Sequence, residues 1–547
     1  MTAAALTIVI GAALGGCGGG GDDAKPPARP GPYTGAPVTR AGLQIPARVQ
    51  GDALALAADG RFVDRFWPGV NLGATTPGHH PGELAPTRAD YDRWLDGIRR
   101  IGARVVRVYT ILRPDFYDAL AAHNAKHPDA PLHFIQGVWI PEEELLAAQD
   151  AYAPDVTEGF DAEIADAVAV VHGDADLPER PGHASGRYRS NVARWLLAWS
   201  PGIEWDPYAV AATDRKHQGV QPDRGHYLTA TADASPMESW IAARLDHLAA
   251  LEAARGWSRP GHVHELAHHR PAASPRRAAG AGGHGEPRLE LRYRRAHDPY
   301  GAYLRDLRAH HRGQAVMITE FGVPTGIGIA HRGPLGRDQG DHSEAEAGDI
   351  DAAMLRVIRR EGFAGGILFE WVDEWFKRTW KTQDLEQPAD RRPLWHNALT
   401  NEEHFGVVAA EPVTGDDWKG TGSLQANHDE ADLLVRLTGA GDRAVVTFDV
   451  RPAPGAEARV LVGPGATARL EQRRGGAWVS PQLLINRLPV QRVDVGRLTA
   501  VERKGETVTM RIPWALLGFG DPSSHTVVVP RADGTVATEE VGAITIA

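Results

Sequence analysis

Short apolar runs, each ending on a polar or aromatic residue and followed by a stretch with a helical apolar stripe, recur from Phe66 to Trp371. The runs predict strands: Phe66–Leu72, Val105–Tyr109, Phe134–Trp139, Trp195–Glu204, Val316–Glu320 and Gly365–Trp371. Such near-continuous apolar strands are expected where both faces of a parallel sheet are covered. Between them the 3-4-7 spacing of Tyr91, Trp94, Leu95 and Ile98 predicts a helix over Arg88–Ile101. Helices are likewise predicted over 114–124, 161–171, 239–255, where Trp240, Leu245, Leu248 and Leu251 share a face, 300–310 and 349–360. Strand alternating with helix predicts an α/β domain, a (β/α)8 TIM barrel over residues 51–400. From about Asn401 the period shortens to alternating runs such as Asp432–Leu437 and Ala444–Val450, separated by Gly, Pro and Asp turns. That pattern predicts an all-β sandwich over 401–547.

Composition narrows the partners. The net charge of -11 in 547 residues is spread without a basic stripe, which argues against nucleic acid and against an anionic membrane face. The single cysteine, Cys17, precludes a disulfide framework and a cysteine-built metal site. It closes an apolar run too short to span a bilayer, and Leu14-Gly15-Gly16-Cys17 resembles a bacterial lipobox, although no Lys or Arg precedes the run. The expectation is a signal peptide over 1–17, a lipid on Cys17, a Gly/Pro-rich tether over 18–50, and a place on the extracytoplasmic side of the cell envelope, touching membrane through that lipid alone.

Two strands deliver a lone carboxylate to a Pro-containing break. Val316–Pro324 presents Glu320, and Trp195–Pro207 presents Glu204. In a parallel barrel, strand ends of this kind open on the active-site mouth. A pair of such glutamates suits acid/base and nucleophile work, and a rim ion pair would use the same residue type. Fifteen tryptophans, many near strand ends, offer flat faces for sugars as well as core filling.

One motif points elsewhere. His264-Glu265-Leu266-Ala267-His268 matches the zinc-protease pattern H-E-x-x-H. However, Pro271 follows within a turn, and Gly261 to Arg295 is a His, Arg, Ala, Gly and Pro mixture unlike its flanks. Read one base later with free third bases, the segment permits an apolar strand ending in Asn-Trp-Pro. A frameshift over 261–295 is therefore expected, with the barrel's fifth strand hidden in the other frame and little room left for a sixth.

The chain resembles clan A glycoside hydrolases, through Ile318–Gly322 and Phe369–Trp375, which match I-T-E-F-G and F-E-W-x-D-E-W of an uncharacterised bacterial branch. The resemblance implies a retaining hydrolase or transglycosylase acting on an extracellular or envelope polysaccharide, with Glu204 as acid/base and Glu320 as nucleophile, and needing no cofactor. It implies that Arg107 orients Glu320 and lowers its pKa, and that Trp371 floors the sugar subsite. Trp199 and Trp205 are expected to desolvate Glu204. Tyr109, Trp139, Trp205, Glu370, Asp373 and Trp375 complete the candidate substrate-binding set, and Asn71, Glu374 and His331 also lie at strand or loop ends. The acidic cluster at 370–374 suits sugar hydroxyls, a cation, or plain solvation. Most of the clan carries Asn before the acid/base, and this chain has Ile203. Asp417–Gly420 with Ala426–Ala431 resembles the opening of carbohydrate-binding modules of the family 9 and DOMON type. The alternatives are a non-catalytic carbohydrate-binding or scaffold lipoprotein, an enzyme inactivated by frameshift, and a zinc protease.

Overall fold

Six of the apolar runs form one parallel sheet in the computed structural model: β1 (Trp67–Leu72), β2 (Val105–Val108), β3 (His133–Val138), β4 (Leu196–Pro201), β5 (Met317–Phe321) and β6 (Gly365–Leu368). The structure describes residues 36–260, 296–382, 395–420, 422–449, 455–485, 491–496, 499–517, 526–534 and 543–545. Strand order is β4-β3-β2-β1-β6-β5, with every neighbouring pair parallel. β2 and β3 are buried along their whole length, as their unbroken apolar character requires.

Helices cover the sheet. α1 (Arg88–Arg100) starts at a Thr87–Asp90 capping box, ends on Arg99 and Arg100, and buries Tyr91, Trp94, Leu95 and Ile98. Each such side chain contributes about 1.5–3 kcal/mol on leaving water. α2 (Pro114–Lys126), α3 (Glu142–Ala148), α4 (Pro154–Val171), α5 (Pro207–Lys216), α6 (Pro236–Ala254), α7 (Pro299–His310) and α8 (Glu344–Arg360) follow. Capping boxes at Ser235–Glu238 and Ser343–Glu346 fix the starts of α6 and α8.

The sheet is curled. β2 and β5 stand three strand spacings apart, about 14 Å if the sheet were flat, yet Arg107 of β2 and Glu320 of β5 meet across the concave face at 3.0 Å. Closure into the expected eight-stranded barrel is not seen among the described residues. Among the described residues the sheet is open between β4 and β5, where a (β/α)8 barrel carries its fifth and sixth strands. After α6 the chain returns to β4, where the Trp199 amide donates to the Pro260 carbonyl at 3.0 Å and Arg259 donates to the Ala193 carbonyl. The segment 261–295, with His264, Glu265 and His268, lies outside the described residues.

Regular structure begins before residue 51. A hairpin pairs Val38–Arg40 with Leu43–Ile45, and a three-stranded sheet follows from Ala47–Gln50, Ala53–Ala58 and Arg61–Arg65. This sheet seals the N-terminal end of the parallel strands, packing Ala47, Leu54 and Leu56 against Trp67, Val105, Ile135, Leu197 and Ile367. The indole of Trp67 donates to the Leu54 carbonyl. With that end plugged, the working face is the opposite one.

Among its described residues the C-terminal region has, besides a two-stranded sheet that pairs Gln482–Ile485 with Gln491–Asp494, two larger antiparallel sheets. One orders Leu424–His428, Asp432–Thr438, Thr507–Pro513 and Ala500–Lys504, and the other contains Ala444–Asp449, Ala458–Gly463 and Thr467–Arg474. Leu424, Val435 and Met510 from the first share one core with Val446, Val460 and Leu470 from the second. Residues alternate between buried and half-buried along Ala458–Gly463, the mark of a sheet with one inward face. No helix among the described residues is long and apolar enough to cross a membrane, and Cys17 lies outside them.

Candidate active site

Glu320 is held by two donors on one oxygen. Its Oε1 accepts from Arg107 Nη1 at 3.0 Å and from the Tyr109 hydroxyl at 2.9 Å. Arg107 is 1% exposed while the Glu320 side chain retains 27%, so the carboxylate faces the opening and the guanidinium backs it. The same Nη1 donates to Asn71 Oδ1 at 2.9 Å, and Asn71 Nδ2 donates to the carbonyls of Thr319 and Leu368. Asn71 on β1 thereby ties β5 and β6 together and aims Arg107. The guanidinium carbon lies 4.5 Å from the Tyr109 ring centroid, a cation–π contact. Burial first, and then the charge of Glu320, push the Tyr109 phenol well above its usual range, so it remains a neutral donor.

Glu204 stands just beyond β4 with its backbone left-handed, φ 47°. A non-glycine residue there costs roughly 1–2 kcal/mol. Gly202 shares the turn at φ 76°, and a β-carbon on it would meet the Trp205 ring at 2.1 Å, so only glycine fits. Burial, and next the negative charge of Glu320, raise the Glu204 carboxyl, while Lys377 and Arg107 pull it down. One carboxylate is thus clamped by donors as an anion, and its partner is favoured as the acid. That division of labour is what acid-assisted displacement at a sugar carbon requires.

No family model matches this chain, and no curated protein does. Among solved structures it is similar to a calcium-binding mutant of Bacteroides uniformis beta-glucuronidase 2 (11% identity, TM-score 0.37, covering 81% of this chain and 46% of that one). Parabacteroides merdae beta-glucuronidase with glycerol in its active site is another (10%, TM-score 0.38, 91% and 63%). A GH5_18 from Streptomyces cattleya in complex with GlcNAc is a third (17%, TM-score 0.32, 56% and 72%). All three are glycoside hydrolases, and the chain spans less than two thirds of the length of either glucuronidase.

The remaining candidates divide by location. Trp139 follows β3 and is 40% exposed at the open end. Trp199 and Trp205 are core residues; Trp205 packs edge-on to Phe160 and Trp240. Trp371 turns away from the concave face, its ring lying where a β-carbon on Gly97 of α1 would stand; packing against that helix, rather than flooring a subsite, is its role here. Trp375 donates to the Ala410 carbonyl and lies against His396. Asp373 accepts from the amides of Gly406 and Ala410, pinning the loop beyond β6. His331 sits beside Trp380.

Glu370 is different. It is 1% exposed and faces the Glu374 carboxyl. Burial, and then the neighbouring Glu374, push it far above the carboxylate range. Both side chains converge over Gly73, where a β-carbon would stand 2.8 Å from Glu374 Oε1 and 3.4 Å from Glu370 Oε2. Lys377 Nζ lies 3.0 Å from Glu374 and 4.5 Å from the Phe369 ring centroid. Burial opposes the Lys377 charge, but Glu374 and Glu370 outweigh it and raise its pKa. Sequence reasoning missed Lys377, although its spacing of three from Glu374 was a readable signal. It also missed Glu402, whose carboxyl burial raises while Lys377 and Lys381 pull it down, and which comes from the 3-10 turn Asn401–Glu403 beyond β6.

Proposed function

We propose that the protein is a retaining glycoside hydrolase or transglycosylase, with Glu204 as acid/base and Glu320 as nucleophile. The observation that carries the reading is the opposed setting of the two carboxyls: Glu320 fixed by Arg107 and Tyr109, Glu204 raised by burial and by Glu320 itself. In the first step Glu204 gives its proton to the glycosidic oxygen as Glu320 attacks the anomeric carbon, so the leaving group departs neutral and a glycosyl ester forms on Glu320. Glu204, now a base, then draws a proton from water or from an acceptor sugar. That nucleophile attacks the same carbon, the ester bond breaks, and the original configuration returns. Trp139, exposed at the mouth, is the candidate sugar platform.

The substrate class is an extracellular or envelope polysaccharide, and Cys17 is the proposed lipid attachment. The test is turnover across a panel of aryl glycosides. Glu320→Gln is expected to abolish it. Glu204→Gln is expected to cost about 10²–10⁴-fold with poor leaving groups and much less with activated ones, with azide restoring rate. Activity that survives Glu320→Gln would sink the assignment. Ile203 favours a second reading, sugar binding without turnover: its buried apolar side chain cannot hold a 2-hydroxyl. Saturable oligosaccharide binding with no turnover of any glycoside supports that reading instead.

A further inference from the structure

Beyond β6 the chain brings His396, Glu403 and His404 together, with one ligand atom of each within 4.8 Å of the others. His396 Nδ1 lies 3.3 Å from Glu403 Oε2. Two donors on a tetrahedral ion with bonds of about 2.0–2.1 Å stand about 3.3 Å apart, so this pair already has ligand spacing. The two imidazole rings meet edge-to-face at 4.6 Å. His404 is 8% exposed and its Nε2 has no hydrogen-bond partner. A supporting shell is present: the Asn397 amide donates to Glu403 Oε2 at 2.9 Å, and the Asn397 backbone also hydrogen-bonds the His404 ring, as outer partners orient metal-bound side chains elsewhere.

We infer that His396, Glu403 and His404 form a binding site for a divalent transition-metal ion of the zinc class. Two imidazoles and one carboxylate suit zinc better than calcium or magnesium. The ion would act as a clip on the wall of the candidate active site. The backbone carbonyl of Glu403 accepts from the Glu374 amide, that of His404 from the Thr325 amide, and that of Phe405 from the Glu370 amide, and Glu402 lies between the ligands in sequence. Closing the clip fixes the loop against β6 and the 323–326 segment without the metal touching substrate.

Two other histidine groups would bind the same probe. Asp96, His123 and His127 form a half-exposed cluster on α1 and α2, and His264 and His268 belong to the segment outside the described residues. The experiment therefore starts from the full chain carrying His127→Gln, His264→Gln and His268→Gln. It is stripped of metal, dialysed against zinc sulfate, and assayed for bound zinc, with cobalt(II) absorption as a second readout. The expected result is one zinc per chain, a zinc-dependent rise in melting temperature, and intense visible bands from four-coordinate cobalt. Adding His404→Gln should weaken zinc binding by at least about 100-fold while far-UV circular dichroism is unchanged. If that variant does not fold, His396→Gln, at a position with some solvent access, serves in its place. No zinc on the starting protein, or equal zinc after His404→Gln or His396→Gln, overturns the inference.

Discussion

The Arg107–Glu320 contact yields an asymmetric double-mutant cycle. Glu320→Leu leaves a guanidinium that is 1% exposed facing an apolar side chain, with Asn71 Oδ1 still accepting from it. Stranding a buried charge costs about 3–5 kcal/mol, and the low end applies here because the opening beside Glu320 admits water. Arg107→Met leaves the carboxylate with the Tyr109 hydroxyl and 27% of its surface in solvent. The charged hydrogen bond it loses is worth about 1.5–3 kcal/mol. In the double variant no charge remains to be stranded, and its loss should not exceed that of Glu320→Leu alone. The coupling is then about 2 kcal/mol. Urea unfolding followed by tryptophan fluorescence measures all four proteins, read at the transition that Arg107→Met shifts. Single-variant losses that add to within about 0.5 kcal/mol would show that the two groups do not share a charge interaction in the folded protein, and the account of Glu320 as a clamped anion would fall with it.

Other outcomes follow from the same geometry. Glu204 must carry its proton to act as an acid, so activity should fall as pH rises through its raised pKa; Lys377→Met removes a cation that lowers that pKa, and the alkaline limb of kcat/KM should move to higher pH. Asp351 accepts from the Val323 amide, and burial raises its pKa from 3.8 to about 8. The folded state therefore holds a proton that the unfolded state releases, and stability should be full below pH 4 and decline toward pH 8. Asp351→Asn should flatten that slope in urea titrations at several pH values. Gly137→Ala puts a β-carbon 2.3 Å from the Tyr109 carbonyl oxygen, and backbone there cannot yield cheaply. About 1–3 kcal/mol of stability and most of the turnover should be lost together. Trp139→Ala should raise KM several-fold and leave the melting temperature within a degree, since the ring is 40% exposed.

Periodicity carried the elements well where burial was on both sides. The runs around Val105, Phe134, Leu196 and Gly365 all became parallel strands, because an unbroken apolar segment of that length has few other places to go. Chemistry at strand ends was also legible: Arg107 and Glu320, more than two hundred residues apart, were linked by family resemblance, and they touch. Side-chain direction was not legible. Trp371 and Glu370 are neighbours and point to different places, one to α1 and the other toward Gly73, and strand alternation alone does not say which side is concave. The early hairpins at 38–65 escaped because their alternation is short and Gly-punctuated, resembling tether. The His396–His404 cluster escaped for a different reason: its spacing fits no short motif, and the loop must fold back before the rings meet.

Pairing β1 with β6 also sets an order of events during synthesis. Asn71 and the Leu368 carbonyl it binds are 297 residues apart, whereas β1 through β4 join neighbours in sequence. The first four strands and their helices can therefore collapse while the ribosome is still working, but β1 keeps an unpaired edge until residue 368 has emerged. At about 5–20 residues per second, that edge waits for about 15–60 s. An exposed apolar strand with free amides for that long is a template for misassociation, so yield of this protein in a heterologous host should depend on translation speed and chaperone supply more than on the stability of the finished fold.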